Sequence, residues 1–202
     1  MNAQRDERRD AKREKILDGA VRAFAAEGFH RTRVSDVAKA AGVADGTIYL
    51  YFAGKDDLLR AIFERAMIRF LQRGRSALEK AGEPVRQIEG FVQLHLQCVG
   101  EDRDLAVVFQ TDLRRSARLM RSLSEGMLGT YLEILTGIIM GGQEEGVFAP
   151  DPPARESAKM IFGVLDELAT DWLLSRRNYR LETRAGQATR FILRALGAAP
   201  AA

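Results

Sequence analysis

Thr47, Tyr49, Leu50, Tyr51 and Lys55 fall close together in the run VSDVAKAAGVADGTIYLYFAGKDDLL, residues 34–59. Their types suit contact with a nucleic-acid duplex. Thr47 is short, with a hydroxyl and a methyl that fit a base edge or a phosphate. Tyr49 and Tyr51 offer hydroxyls to phosphates and apolar ring faces to sugars or thymine methyls. Lys55 opens a helix, where its charge adds to free backbone N–H groups. Gly46 allows a close backbone approach. Asp45 is acidic and reads as a helix cap, not a base reader. Core packing is the other reading of the tyrosines, and the preferred one for Phe52. With Thr32, Arg33 and Ser35 just upstream, these residues form the candidate DNA-contact set.

A second set lies downstream. Arg114, Arg115, Arg118 and Arg121 belong to one predicted helix, and 114, 118 and 121 share a face. Guanidinium forks bind phosphate bidentately, although the same row also reads as a solvated face, and Asp112 is close enough to pair with one of them. Phe63, Met67, Phe70, Phe91, Leu94, Phe109, Leu113, Leu128, Tyr131, Phe162 and Leu165 could line an apolar tunnel or simply fill a core. His95, alone on an apolar helix, reads first as a satisfied core histidine. Two histidines and the single Cys98, far apart in sequence, give no metal constellation. No Ser/His/Asp set or Gly-rich phosphate loop is evident, so neither a catalytic residue nor a resident cofactor is expected.

The elements that position these residues are helices. Paired apolar residues one turn apart predict helices over 11–27, 34–41, 46–52 and 55–80. Gly28 and Gly42 end the first two, Thr32 is the nearest side chain able to cap the second, and Asp45 caps the third. Further helices are predicted over 85–99, 105–120, 124–140, 155–175 and 181–196, with a loop at 141–153 carrying three Gly and three Pro. The chain is expected to be all-α, with about nine helices. A three-helix helix-turn-helix head occupies 1–54, and a helical ligand and dimer domain 55–202.

At 202 residues the chain can bury a substantial core. No apolar run approaches a membrane span, no secretory signal is recognised at 1–15, and one cysteine fits a reducing cytoplasm. Residues 1–55 hold 11 Lys/Arg against 8 Asp/Glu, whereas 56–202 hold 20 of each, so the net +3 sits with the head. In the leader, Asp6, Glu7, Asp10 and Glu14 interleave with Arg5, Arg8, Arg9, Lys12, Arg13 and Lys15. It reads either as a phosphate-seeking arm or as a solvated leader. Broad stripes on the last two helices (Ala158, Ile161, Leu165, Leu168, Ala169 and Trp172, then Ala188, Phe191, Ile192 and Ala195) suit a two-fold four-helix bundle or the core of one chain.

The first helix, the helix-turn-helix and GTIYLYFAGKDDLL together resemble the head of the TetR family of bacterial repressors, over residues 11–60. The resemblance implies a homodimer on a pseudo-palindromic operator, with one recognition helix per subunit at 46–52. It also implies backbone-contacting positions at Tyr49, Tyr51 and Lys55. The stretches LAVVFQTDLRRSARLMR, GTYLEILTGII and KMIFGVLDELATDWLL are similar to the acyl-coenzyme A-responsive repressors of fatty-acid degradation within that family. This implies release from DNA by a long-chain acyl thioester, its three phosphate groups at the arginines. The alternatives are a regulator of drug efflux, with Asp166 or Glu167 meeting a lipophilic cation, and an acyl-coenzyme A-binding helical protein with no DNA role.

Overall fold

The structure is a computed structural model describing residues 2–112 and 126–198, with side chains described for 4–74, 82–111 and 126–198. Every regular element among these residues is helical. In chain order they are α1 (Asn2–Glu27), α2 (Val34–Ala41), α3 (Asp45–Ile48), α4 (Lys55–Ala81), α5 (Pro84–Gly100) and α6 (Arg103–Val107). The last of these runs into a π-helical turn, Val108–Asp112. Then follow α7 (Met127–Glu144), α8 (Ala154–Leu174), a 3-10 turn (Leu181–Arg184) and α9 (Ala185–Ala195).

The helices form two compact units. The first comprises Met1–Ala66 with a stretch beginning at Asp104; the second takes Met67–Arg103 and the C-terminal helices. In the first, Ile16, Leu17, Ala20 and Phe24 of α1 are fully buried with Val37 and Ala38 of α2, Ile48 of α3 and Leu58, Leu59 and Ile62 of α4. Each of these side chains larger than Ala contributes roughly 1.5–3 kcal/mol by leaving water. At Gly19 the α1 backbone comes so close to α2 that a Cβ would sit 2.6 Å from Ala41. Gly42 ends α2 in the left-handed region at φ 61°, and the Val43 N–H reaches back to the Ala38 carbonyl at 3.0 Å.

In the second unit α5 packs on α7, α8 and α9 around Ile88, Phe91, Leu96, Leu135, Ile139 and Leu165. The chain between α8 and α9 is tied down at Trp172. Its indole N–H donates to the Tyr179 carbonyl at 2.9 Å, and the Arg103 guanidinium lies 4.9 Å over the ring.

Several boundaries differ from the sequence reading. The first helix starts at Asn2, not 11, because the leader residues are helix formers and nothing in them stops the helix. The third is one turn, Asp45–Ile48, closed by Tyr51 and Phe52 N–H bonds to the Ile48 carbonyl. Neither expected cap forms. Asp45 is itself the first residue of α3, after Ala44. At α2 the cap position is Arg33, whose N–H is bonded by the Asp36 carboxylate at 2.8 Å. The predicted helix over 105–120 is α6 plus the π-helical turn as far as Asp112; its continuation lies outside the described residues. The loop expected from 141 begins only after Glu144. Gly142 is a packing residue within α7, since a Cβ there would come within 2.2 Å of the Phe148 ring.

Candidate functional site

Within the first unit, α3 and the turn after it form the exposed ridge. Tyr49 is 61% and Leu50 74% exposed, Gly46 is exposed, and Thr47 and Tyr51 are half-buried. Large side chains left outside while Ile48 and Phe52 turn fully inward present a ridge to a partner. A Cβ on Gly46 would meet nothing within 4 Å, so the space beside its backbone is open from outside.

Thr32, of the candidate DNA-contact set, is turned inward rather than onto the ridge. It is 1% exposed, and its hydroxyl donates to the carbonyls of Gly28 at 2.9 Å and Ala23 at 3.2 Å. It fastens the turn between α1 and α2, while Arg33 and Ser35 beyond it are exposed. Lys55 also has structural work. Its ammonium donates to the carbonyls of Phe29 at 2.7 Å and His30 at 3.2 Å, and lies 4.8 Å over the Phe29 ring. Asp57, drawn back onto the Ala53 N–H at 2.9 Å and paired with Arg60, fixes the helix start. The backbone bond leads in holding its carboxyl below the usual range. Arg65 is absent from the sequence-predicted set. Its side chain is mostly covered and bonded to Asp18 at 2.7 Å and Glu14 at 3.2 Å. The signal for it is an arginine bordering the apolar stripe of α4.

The apolar effector candidates divide between the units. In the first, Phe63 meets Phe109 edge-on at 5.5 Å, which brings the π-helical turn onto α4. In the second, Tyr131 is the hub of an aromatic cluster. Its ring lies 4.9 Å from Phe91, 5.2 Å from Phe70 and 5.7 Å from both His95 and Phe162. The Tyr131 hydroxyl and His95 Nδ1 are hydrogen-bonded at 3.0 Å. Desolvation holds the imidazole pKa down at about 4 and pushes the phenol well up, so both are neutral at pH 7. Met67, Leu94, Leu128 and Leu165 are also buried in this unit.

Leu113, Arg114, Arg115, Arg118 and Arg121 lie outside the described residues, as does the Asp112 side chain. Asp166 is half-buried and Glu167 exposed. An open depression of about 640 Å³ beyond α8, lined by Asp171, Ser175, Arg177, Asn178 and Tyr179 among others, is polar and holds none of the acyl-chain candidates.

Of the ten dimer candidates, Ala158, Ile161, Leu165, Ala169, Trp172, Ala188 and Ile192 are buried within the single chain. Phe191 and Ala195 are exposed and Leu168 is half-buried. Met160 and Leu174 of α8, outside the sequence-predicted set, are also exposed. The stripes are visible in sequence, but which edge of each stripe the chain itself covers depends on how α5, α8 and α9 pack.

Residues 16–62 match the family model described as bacterial regulatory proteins, tetR family, and 63–195 match that of the YsiA-like protein, C-terminal region. The chain is 36% identical over 166 residues to a fatty acid metabolism regulator protein of Bacillus subtilis (strain 168), covering 82% of this chain and 86% of that one. It is also similar to two solved structures, each with a TM-score of 0.83 and covering 89% of this chain and 97% of the other. One is the fatty acid degradation regulator FadR from Bacillus halodurans, 37% identical; the other is FadR from Bacillus subtilis in complex with stearoyl-CoA, 33% identical.

Proposed function

The chain belongs to the TetR family of bacterial regulatory proteins, and from this we propose that it is a homodimeric repressor of fatty-acid degradation genes, released from its operator by long-chain acyl-coenzyme A. A regulator of this family binds DNA and is not an enzyme. The reader is the ridge of Thr47, Tyr49, Leu50 and Tyr51, with Arg33, Ser35, Gly46 and Lys55 beside it. Two such readers, related by a two-fold axis, meet half-sites about 34 Å or a further helical turn apart.

The effector assignment is carried by one observation: a relative of the same fold, 33% identical, holds stearoyl-CoA. The residues are compatible with such a ligand. The Phe63–Phe109 pair and the Tyr131 cluster offer apolar, aromatic surface to an acyl chain. The arginines at 114, 115 and 118 supply the forks that coenzyme A phosphates need. The efflux reading has no comparable observation behind it; of its two carboxylates Glu167 is exposed and Asp166 half-buried.

The test uses a duplex that the chain selects from a random-sequence pool. Its affinity is measured alone and with stearoyl-coenzyme A, free coenzyme A or stearate. The expected outcome is weakening of about 100-fold by the acyl thioester alone, corresponding to ~2.7 kcal/mol of preference for the DNA-free conformer. Unchanged affinity with all three would overturn the effector assignment, and release by a lipophilic cation would move it to the efflux class.

A further inference from the structure

The charges of the N-terminal helix are mixed when read along the chain, yet over residues 5–18, Arg13 aside, they separate around the helix. At about 100° per residue, Arg5, Arg8, Arg9, Lys12 and Lys15 of α1 fall within one arc of roughly 120°. Asp6, Glu7, Asp10, Glu14 and Asp18 fall within the opposite arc.

Each arc has a definite place in the unit. The acidic arc faces α4, where Glu14 and Asp18 bond Arg65. The basic arc faces the helix-turn-helix. A Cβ on Gly42, in the turn before α3, would stand 3.5 Å from Lys15 Nζ. Gly19, on the same arc one turn further along, is the close approach to Ala41. Arg13 lies outside this arc, between it and the acidic one. It is 3.8 Å from Glu14, and its guanidinium is 5.5 Å from the centre of the Phe52 ring, just past the reader. The basic arc therefore borders the turn that leads into the reader. From Lys15 it continues as a row of exposed cations to Arg5, about 15 Å along the axis at 1.5 Å per residue.

We infer that the first turns of α1 form a second DNA-binding surface: Arg5, Arg8, Arg9 and Lys12 hold backbone phosphates of the duplex flanking the half-site that α3 reads. The acidic arc, turned to α4, does not oppose them. Contacts of this kind fix register and add affinity without reading sequence. The inference rests on the DNA-binding role of the head, and the test separates the two.

A duplex core selected by the wild-type chain is compared bare and with random flanks of about 5 base pairs per side, the length a 15 Å row spans. The wild type is expected to bind the flanked duplex about tenfold more tightly. Arg8→Ala/Lys12→Ala should abolish that difference and lower the slope of log affinity against log salt by nearly 2 per head, at about 0.9 for each phosphate no longer neutralised. Asp6→Ala/Asp10→Ala, on the opposite arc, should keep the flank preference. Circular dichroism checks that α1 remains helical in both variants. Equal binding of bare and flanked duplex by the wild type, or an unchanged salt slope in the Arg8/Lys12 variant, would overturn the inference while leaving the reader intact. A pool from which the wild type selects nothing would overturn the DNA-binding role and this inference with it.

Discussion

At the scale of residues, the Tyr131–His95 pair links stability to pH. His95 is 9% exposed, and desolvation lowers its pKa from 6.5 to about 4. The unfolded chain takes up a proton near pH 6.5 that the folded chain refuses. Stability from this group is therefore complete above about pH 6.5, declines as pH falls towards 4, and flattens below that. The loss by pH 4.5 is about 2–3 kcal/mol. Denaturant unfolding at pH 7 and 4.5 should show this loss in the wild type and a smaller one in His95→Gln, which keeps a polar partner for Tyr131 but does not titrate. An equal loss in both would remove His95 as the cause. Tyr131→Phe deletes the 3.0 Å bond and should cost about 1–3 kcal/mol at pH 7. Nothing in sequence distinguishes a lone histidine bonded inside a core from one waiting for a ligand; the partner stands 36 residues away on another helix. The reader shows the opposite case. The exposure of Tyr49 and Leu50 is legible because Ile48 and Phe52 on either side of them claim the inward face. The placement of Thr32 and Lys55 is not, since their partners, the carbonyls at the end of α1 and in the turn after it, are set by the chain's own fold. Tyr49→Ala should therefore abolish operator binding with the melting temperature unchanged. Lys55→Met should lower both operator affinity and stability, the latter by about 1 kcal/mol.

At the scale of elements, the crossing of α1 and α2 fixes the reader. Gly19 sits where a Cβ would come within 2.6 Å of the Ala41 backbone nitrogen and Cβ, neither of which can rotate away. Gly19→Ala gains up to ~1 kcal/mol in helix propensity but must push the helices apart, an overpacking cost of about 1–3 kcal/mol. The expected net result is lower stability, with operator affinity falling further than stability because α3 moves with α2. A more stable variant with full affinity would show that the crossing is loose. Helix existence is legible throughout from apolar pairs one turn apart. Boundaries are less so wherever side chains from elsewhere decide them. Gly141 and Gly142 resemble a helix stop, yet Gly142 serves the packing of Phe148 inside α7. The π-helical turn at Val108–Asp112 carries no composition signal at all, because it extends a helix-forming sequence.

At the scale of the whole molecule, the question is how two readers are held on one operator. Seven of the ten candidate dimer residues serve the chain's own core, so a second copy would have to seat on what remains outside. Outside are, among others, Met160 and Leu174 of α8, at 60% and 79% exposed, and Phe191 of α9, at 60%; Ala195 is exposed and Leu168 half-buried. Large apolar side chains exposed on adjacent helices suit an isologous helix-on-helix contact, in which each residue of the patch meets the same patch on its mate. Glu167 and Asp171 lie on the same outward side of α8 between Met160 and Leu174, so such a contact must leave these like charges solvated or paired with cations. Phe191→Asp puts a charge on the outward apolar side of α9 without touching the monomer core, because Ala188 and Ile192 supply the buried side of α9. The variant should run as a folded monomer by light scattering, with an unchanged helical spectrum. It should also bind a full palindrome no better than a half-site, whereas the wild type gains by linking two heads on one duplex. A variant that remains dimeric would place the two-fold contact on another face of the chain.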